Sequence, residues 1–222
     1  MMLDLPTTIA VILGICVVAY LIGSVNFAII VSRIIGRDDI RKHGSGSAGM
    51  TNMLRTYGTW PAVITAVGDF GKTVLAVVVA RVVIGEVGID LDVGYIAGVF
   101  VIVGHMFPLY FRFKGGKGVM SALGVLFSVN PVIFLIVALS AVPLVFITRI
   151  VSIASISGAL TNAVVTAAWV FLSTESPLLR TINPWVYTIC AVVIGALIWI
   201  GHRENIVRLY NGTENRLGKM KD

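Results

Sequence analysis

"SVNPVI", residues 128–133, interrupts an apolar run that extends from residue 118 to 147, and its reading sets how many helices the chain has. Proline disfavours the helical conformation in the residue before it, and Asn-Pro is a turn signal. A turn at Asn130 and Pro131 gives two spans, 118–129 and 131–147. A continuous helix kinked at Pro131 gives one. Working outward from this point, further apolar windows lie near 9–32, 60–83, 94–111, 151–172 and 185–201. The choice is therefore between seven spans and six.

Charge arbitrates. With seven spans, every Lys and Arg except Lys72, Arg81 and Arg180 falls on one side, which the positive-inside rule makes cytoplasmic. The opposite loops, "GEVGIDLD" at 85–92 and "STESPLLRTINP" at 173–184, are acidic or nearly neutral. Six spans would separate Arg149 and the basic tail from the first two basic loops. The sequence therefore predicts an all-α, polytopic integral membrane helical bundle of about seven transmembrane helices, N-terminus outside and C-terminus cytoplasmic.

Composition agrees. Of 222 residues, 57% are hydrophobic and 13% charged, outside the range of soluble globular domains. A bilayer core of about 30 Å takes roughly 20 apolar residues per helix, which several windows supply. The N-terminal apolar run continues to about residue 35 and lacks a basic start and a small-residue cleavage site, so it reads as a first span rather than a secretory signal. Cys16 and Cys190 lie in apolar runs, with no CxxC or His/Cys cluster nearby, and read as buried spectators.

One domain, 1–222, is expected, with its polar segments on a single face: loops 33–58 and 111–119 and the tail 201–222. In "HGSGSAGMTN", 43–52, Gly44, Gly46 and Gly49 free the backbone for a nest of converging N–H groups that binds anions. Ser45, Ser47, Thr51 and Asn52 add donors and acceptors; Arg41, Lys42 and Arg55 add charge. A flexible basic loop is the alternative. "KGGKG" places Lys114, Gly115, Gly116, Lys117 and Gly118 at the start of an apolar helix, where the dipole favours an anion. A positive-inside anchor explains its lysines but not its glycines. "GKT" at 71–73 is no ATPase P-loop, because Ala66 stands where the upstream glycine is required.

Asp69 and Lys72 form an i,i+3 pair inside a span and are expected to neutralise each other. His105 is open to a structural hydrogen bond or a role in the site. His202 and Asn205 share a face if the last helix continues past the apolar run, and a neutral imidazole there could orient a hydroxyl or phosphate. Ser152 and Ser155 sit where helix capping is the ordinary role. A phosphate-ester transporter and a non-catalytic scaffold binding anionic lipid are rival functions; neither a midplane site nor inverted repeats are visible for the first, and the second gives no reason for clustered glycines.

"DIRKHGSGSAGMTNMLRTYG", "GHMFPLYFRFKGGKGV" and "GHRENIVRLYNGTENR" resemble, in order and spacing, the three motifs of the PlsY family of bacterial acyl-phosphate glycerol-3-phosphate acyltransferases. "GSVNFAIIVSR", the D-x-x-K at Asp69 and Lys72, and the R-x-V-S from Arg149 to Ser152 are also similar to that family. Ser47, Ala48 and Met50 depart from the family's usual G-S-G-N-P-G-A-T-N, and Asn26 stands where it often has proline. The resemblance implies a seven-helix enzyme of the bacterial cell membrane. It would transfer a fatty acyl group from acyl phosphate to the 1-hydroxyl of glycerol 3-phosphate, giving lysophosphatidic acid and inorganic phosphate.

It further implies that Ser45, Thr51, Asn52 and Arg55 bind phosphate or substrate, that Lys117 stabilises the leaving phosphate, that His202 and Asn205 position the acceptor, and that Ser155 lines the pocket. No metal, cofactor or nucleic acid is expected; the partners are the two substrates and membrane lipid. No Ser/His/Asp triad is evident, and the H-x-x-x-x-D signature of other glycerolipid acyltransferases is absent.

Overall fold

The computed structural model describes residues 4–172 and 183–218. Most of the loop at 173–184 and residues 219–222 of the tail lie outside that range. Among the described residues the chain is helical, without strands. Six helices, counting the broken first one as a single span, are long and apolar enough to cross a membrane.

Asp4 starts the first helix, α1 (Leu5–Gly23), by accepting the Thr7 N–H, with Pro6 in the opening turn. The first apolar run, read from sequence as one span, is broken at 24–26. The Ser24 hydroxyl turns back to the Tyr20 carbonyl and accepts the Leu109 N–H, and the Asn26 side chain caps α2 (Phe27–Ile35) by accepting the Ile29 N–H. Residues 33–58, read as a loop, also hold structure: a 3-10 turn at Ile40–Lys42 and the amphipathic helix α3 (Met50–Tyr57). Next come α4 (Thr59–Glu86) and α5 (Gly94–Met106).

Helices α6 (Val119–Val129) and α7 (Pro131–Thr148) meet at the corner that the sequence placed at Asn130 and Pro131. Asn130 is extended, its side chain accepts the N–H groups of Val132 and Ile133, and Pro131 occupies the first helical position, where its missing N–H costs nothing. Phe127 and Phe134 pack edge to face across the corner, centroids 5.6 Å apart. With 11 residues α6 is about 16 Å long, short of the ~30 Å hydrocarbon core. The chain continues through α8 (Val151–Leu172), α9 (Pro184–Gly201) and α10 (Arg203–Tyr210).

Two polar knots fix the ends of the bundle. At one end Arg81 of α4 bridges Asp92 at 2.6 Å and donates to the Ser128 carbonyl, while the Tyr187 hydroxyl of α9 also donates to Asp92. At the other, Arg41 donates to the carbonyls of Phe111 and Lys114 at 2.7 and 2.8 Å, and Leu217 in the tail donates to the Arg149 carbonyl. The helices thus run between an Arg81 end and an Arg41 end, and the three polar segments assemble at the latter.

Candidate active site

Asn52 organises the first segment. Its Nδ2 donates to the carbonyls of Ile40, His43 and Ser47 at 3.2, 2.9 and 3.1 Å, and its Oδ1 accepts the Ser45 N–H at 3.0 Å. Residues 43–49 are therefore wound around one buried amide, with Gly44 and Gly46 supplying the positive φ angles, 56° and 71°, that the winding needs. The loop ends at Gly49, and the first turn of α3, Met50 to Asn52, lines the same cavity as Ser45 and Arg55.

The second segment divides its labour. The Gly115 and Gly116 N–H groups donate to the carbonyls of Met106 and His105, and the Gly115 carbonyl accepts the Ala48 N–H. These glycines let the segment lie flat against α5, since a Cβ on Gly116 would collide with His105 Nε2 and the Ala48 carbonyl. Lys114 gives its carbonyl to Arg41. Lys117 and Gly118 instead reach the cavity, at the N-terminus of α6.

In the third segment α9 does not run on into α10. It turns at His202 (φ −101°, ψ 8°), yet His202 and Asn205 both end up buried in the cavity wall. Asn205 accepts from Lys117 Nζ and donates to Glu214 Oε1 at 2.7 Å. Glu214 also accepts from the Ser152 hydroxyl at 3.2 Å and from Arg208 Nε at 2.8 Å. Sequence reasoning passed over Glu214; its signal was an acid standing between Arg208 and Arg216 in the basic tail. Ser152 and Ser155 do not cap α8: Ser152 donates to Glu214 and Ser155 to the Val151 carbonyl.

Behind these segments Lys72 Nζ donates to Asp69 Oδ1 at 2.8 Å and to the Val25 carbonyl at 2.5 Å, and lies 3.1 Å from His105 Nδ1. An ammonium only donates, so Nδ1 is the acceptor of that pair. The expected pairing of Asp69 and Lys72 is present, His105 hydrogen-bonds to it, and through the Val25 carbonyl it braces the break between α1 and α2. Asp69 and His105 also form part of the cavity wall.

The cavity has a volume of about 370 Å³. Ser45, Ser47, Gly49, Thr51, Asn52, Arg55, Lys117, Gly118, Ser155, His202 and Asn205 line it; Gly44, Gly46, Lys114, Gly115 and Gly116 stand behind it. Away from the polar groups its walls are apolar, including Leu123 and Leu126 of α6, Val137 and Val145 of α7 and Ile194 and Ile198 of α9. Burial, reinforced by Arg208, pulls the Lys117 ammonium down to about 8. Burial also lowers the Arg55 guanidinium, which among the described residues forms no ion pair. His202 is pushed down to about 4, mainly by burial, so it is neutral at pH 7. Its Nδ1 lies 2.8 Å from the Ile198 carbonyl, which can only accept; the proton therefore sits on Nδ1 and Nε2 is left as an acceptor. Among the described residues no group of three His, Cys, Asp or Glu is placed to hold a metal.

Two cations, Arg55 and Lys117, and two helix N-termini stand at the mouth of an apolar channel in a membrane protein, an arrangement that favours an anionic group. Residues 13–212 match the glycerol-3-phosphate acyltransferase family model. The glycerol-3-phosphate acyltransferase of Laribacter hongkongensis is 40% identical over 205 residues, covering 92% of this chain and 96% of the relative. That of Neisseria meningitidis serogroup B is 39% identical over 201 residues, covering 90% and 94%. The solved structure of PlsY (YgiH), an integral membrane glycerol 3-phosphate acyltransferase in its glycerol 3-phosphate form, superposes with a TM-score of 0.78 at 36% identity, covering 93% of this chain and 96% of that one. Its lysophosphatidic acid form gives 0.74 at 35% identity, covering 93% and 95%. The chain belongs to the glycerol-3-phosphate acyltransferase family.

Proposed function

We propose that the chain transfers a fatty acyl group from acyl phosphate to the 1-hydroxyl of sn-glycerol 3-phosphate, giving lysophosphatidic acid and inorganic phosphate. The observation that carries this reading is one cavity holding Ser45, Arg55 and Lys117 at its polar end and the apolar faces of α6 to α9 beyond them. A phosphate and an alkyl chain fit such a cavity together. The glycerol 3-phosphate and lysophosphatidic acid forms of the PlsY structure are consistent with both occupants.

Acyl phosphate is a mixed anhydride, so the donor arrives activated and the protein's tasks are positioning and charge stabilisation. The acceptor's hydroxyl oxygen forms a bond to the acyl carbon, and the bond from that carbon to the phosphate oxygen breaks. Lys117 and Arg55 meet the negative charge that grows on the departing phosphate, with Ser45 and the N–H groups at the start of α3 beside them. The hydroxyl proton passes to a substrate phosphate. His202 accepts a hydrogen bond from the acceptor through Nε2, and Asn205 holds Lys117 in place. Thr51, Asn52 and Ser155 complete the binding surface. No step calls for a metal or cofactor.

The basic end carrying the site faces the cytoplasm, and the membrane is the bacterial plasma membrane; the one-sided distribution of Lys and Arg supports that orientation. Purified protein in detergent is mixed with glycerol 3-phosphate and either palmitoyl phosphate or palmitoyl-CoA, and phosphate release and lipid are measured. Lipid from the phosphate donor is expected, with strong loss in Lys117→Ala. Activity with the thioester alone overturns the donor; full turnover by Lys117→Ala overturns the role of Lys117.

A further inference from the structure

The cavity ends part-way along all four helices that wall its apolar part. The residue nearest the Arg81 end is Leu126 on α6, Val137 on α7, Asn162 on α8 and Ile194 on α9. One turn further on, Ile133, Thr166 and Ala191 are fully buried and pack with Tyr95 of α5 as a closed layer. Asn162 is the single polar member of the floor. Its Oδ1 accepts from the Tyr95 hydroxyl at 3.3 Å and the Thr166 hydroxyl at 3.2 Å; its Nδ2 donates to the Ala191 carbonyl at 3.4 Å. These bonds tie it to α5 and α9 as well as to its own helix.

An aliphatic side chain at this place could change rotamer for a longer ligand. Asn162 cannot swing aside without breaking its bonds to α5 and α9 and leaving its own amide without those partners, which is costly in an apolar interior. From Ser152 to Asn162 the channel follows ten residues of α8, a depth of about 15 Å at ~1.5 Å per residue.

We propose that this floor, with Asn162 as its fixed member, gauges the length of the acyl chain. The proposal rests on the reading that the channel holds that chain. A chain whose methyl end reaches the floor is bound along its whole length. A shorter one leaves space unfilled, and a longer one must fold back or break the closed layer. One methylene too many or too few in a fitted pocket is worth roughly tenfold in discrimination.

The test uses purified full-length protein, saturating glycerol 3-phosphate and a series of saturated acyl phosphates from dodecanoyl to octadecanoyl, with kcat/KM measured for each. Val137→Phe raises the floor without touching the Asn162 bonds, and is expected to shift the profile to shorter chains, lowering the ratio of the longest to the shortest donor roughly tenfold. Asn162→Ala lowers the floor and is expected to shift the profile the other way. Loss that is equal for every chain length in both variants overturns the gauge, as do unshifted profiles in active variants, which leave the acyltransfer reading intact. No transfer by the unsubstituted protein from any donor overturns that reading, and the gauge with it.

Discussion

Replacing Gly116 with alanine adds one methyl group at a tightly packed point of the site. The new Cβ would fall inside the 3.0 Å limit of real Cβ contacts at both His105 Nε2 and the Ala48 carbonyl oxygen, by more than half an ångström in each case. Neither neighbour yields easily. The His105 ring is buried and pinned through Nδ1 by Lys72, and the Ala48 oxygen is backbone that accepts from Asn26 Nδ2 at 3.3 Å. The strain therefore passes to the residues on either side of Ala48, Ser47 and Gly49, and through Gly49 to the start of α3. Overpacking of this kind costs about 1 to 3 kcal/mol, a fraction of a typical total stability of about 5 to 15, so the protein stays folded.

Activity responds more steeply, because a misplacement approaching 1 Å can cost about a hundredfold. The expected result for Gly116→Ala is a ten- to hundredfold fall in kcat/KM, roughly the range that such a displacement supports, measured by phosphate release in detergent. Gly71→Ala, with no atom within 4 Å of its added Cβ, serves as the control and should keep its rate. If Gly116→Ala matches the unsubstituted enzyme within about twofold, the claim that close packing of the second segment on Ala48 shapes the site is refuted.

The alkaline limb of kcat/KM should follow Lys117: below about 8 the ammonium is present, and as pH rises through that value its charge and the rate are lost. Lys117→Arg, ionised throughout, should remove that limb, and an unmoved limb would assign it elsewhere. The acid limb should come from the second ionisation of the substrate phosphate, at about 6, since His202 stays neutral down to about 4. Asp69→Asn or Lys72→Met alone leaves a buried charge without its partner and should destabilise the protein by about 3 to 5 kcal/mol, whereas the double variant should lose less than the sum in detergent unfolding; additivity would contradict a coupled pair. Asn130→Ala removes the cap of α7 at the end remote from the site and should cost about 1 kcal/mol of stability with acyl transfer intact, checked by melting and rate together.

Periodicity, proline and charge are local or additive properties, and they located the long apolar helices, though not the break at 24–26 or the short helices α3 and α10. Asn130 and Pro131 specify the corner between α6 and α7 because a proline's ring acts on the residue beside it, whatever else the chain does. The spacing of Asp69 and Lys72 on one helix made their pairing legible for the same reason. The three polar motifs marked Ser45, Arg55, Lys117, His202 and Asn205, and all five line one cavity.

Contacts between distant segments were not legible. Gly115 and Gly116 read as part of an anion cradle, but their N–H groups are used by the end of α5, which no feature of "KGGKG" reveals. The break in the first span depends on Ser24 meeting Leu109, 85 positions away, and Glu214 matters because the tail returns to Ser152 and Asn205. The floor at Asn162 exists only because four helices close the channel together. Sequence by itself determined which segments are apolar, where they turn and which groups carry charge, since these follow from each residue and its near neighbours. Tertiary structure decided which N–H groups are already taken, how deep the channel runs and what closes it, because hydrogen-bond partners and packing depth are properties of pairs that only folding brings together.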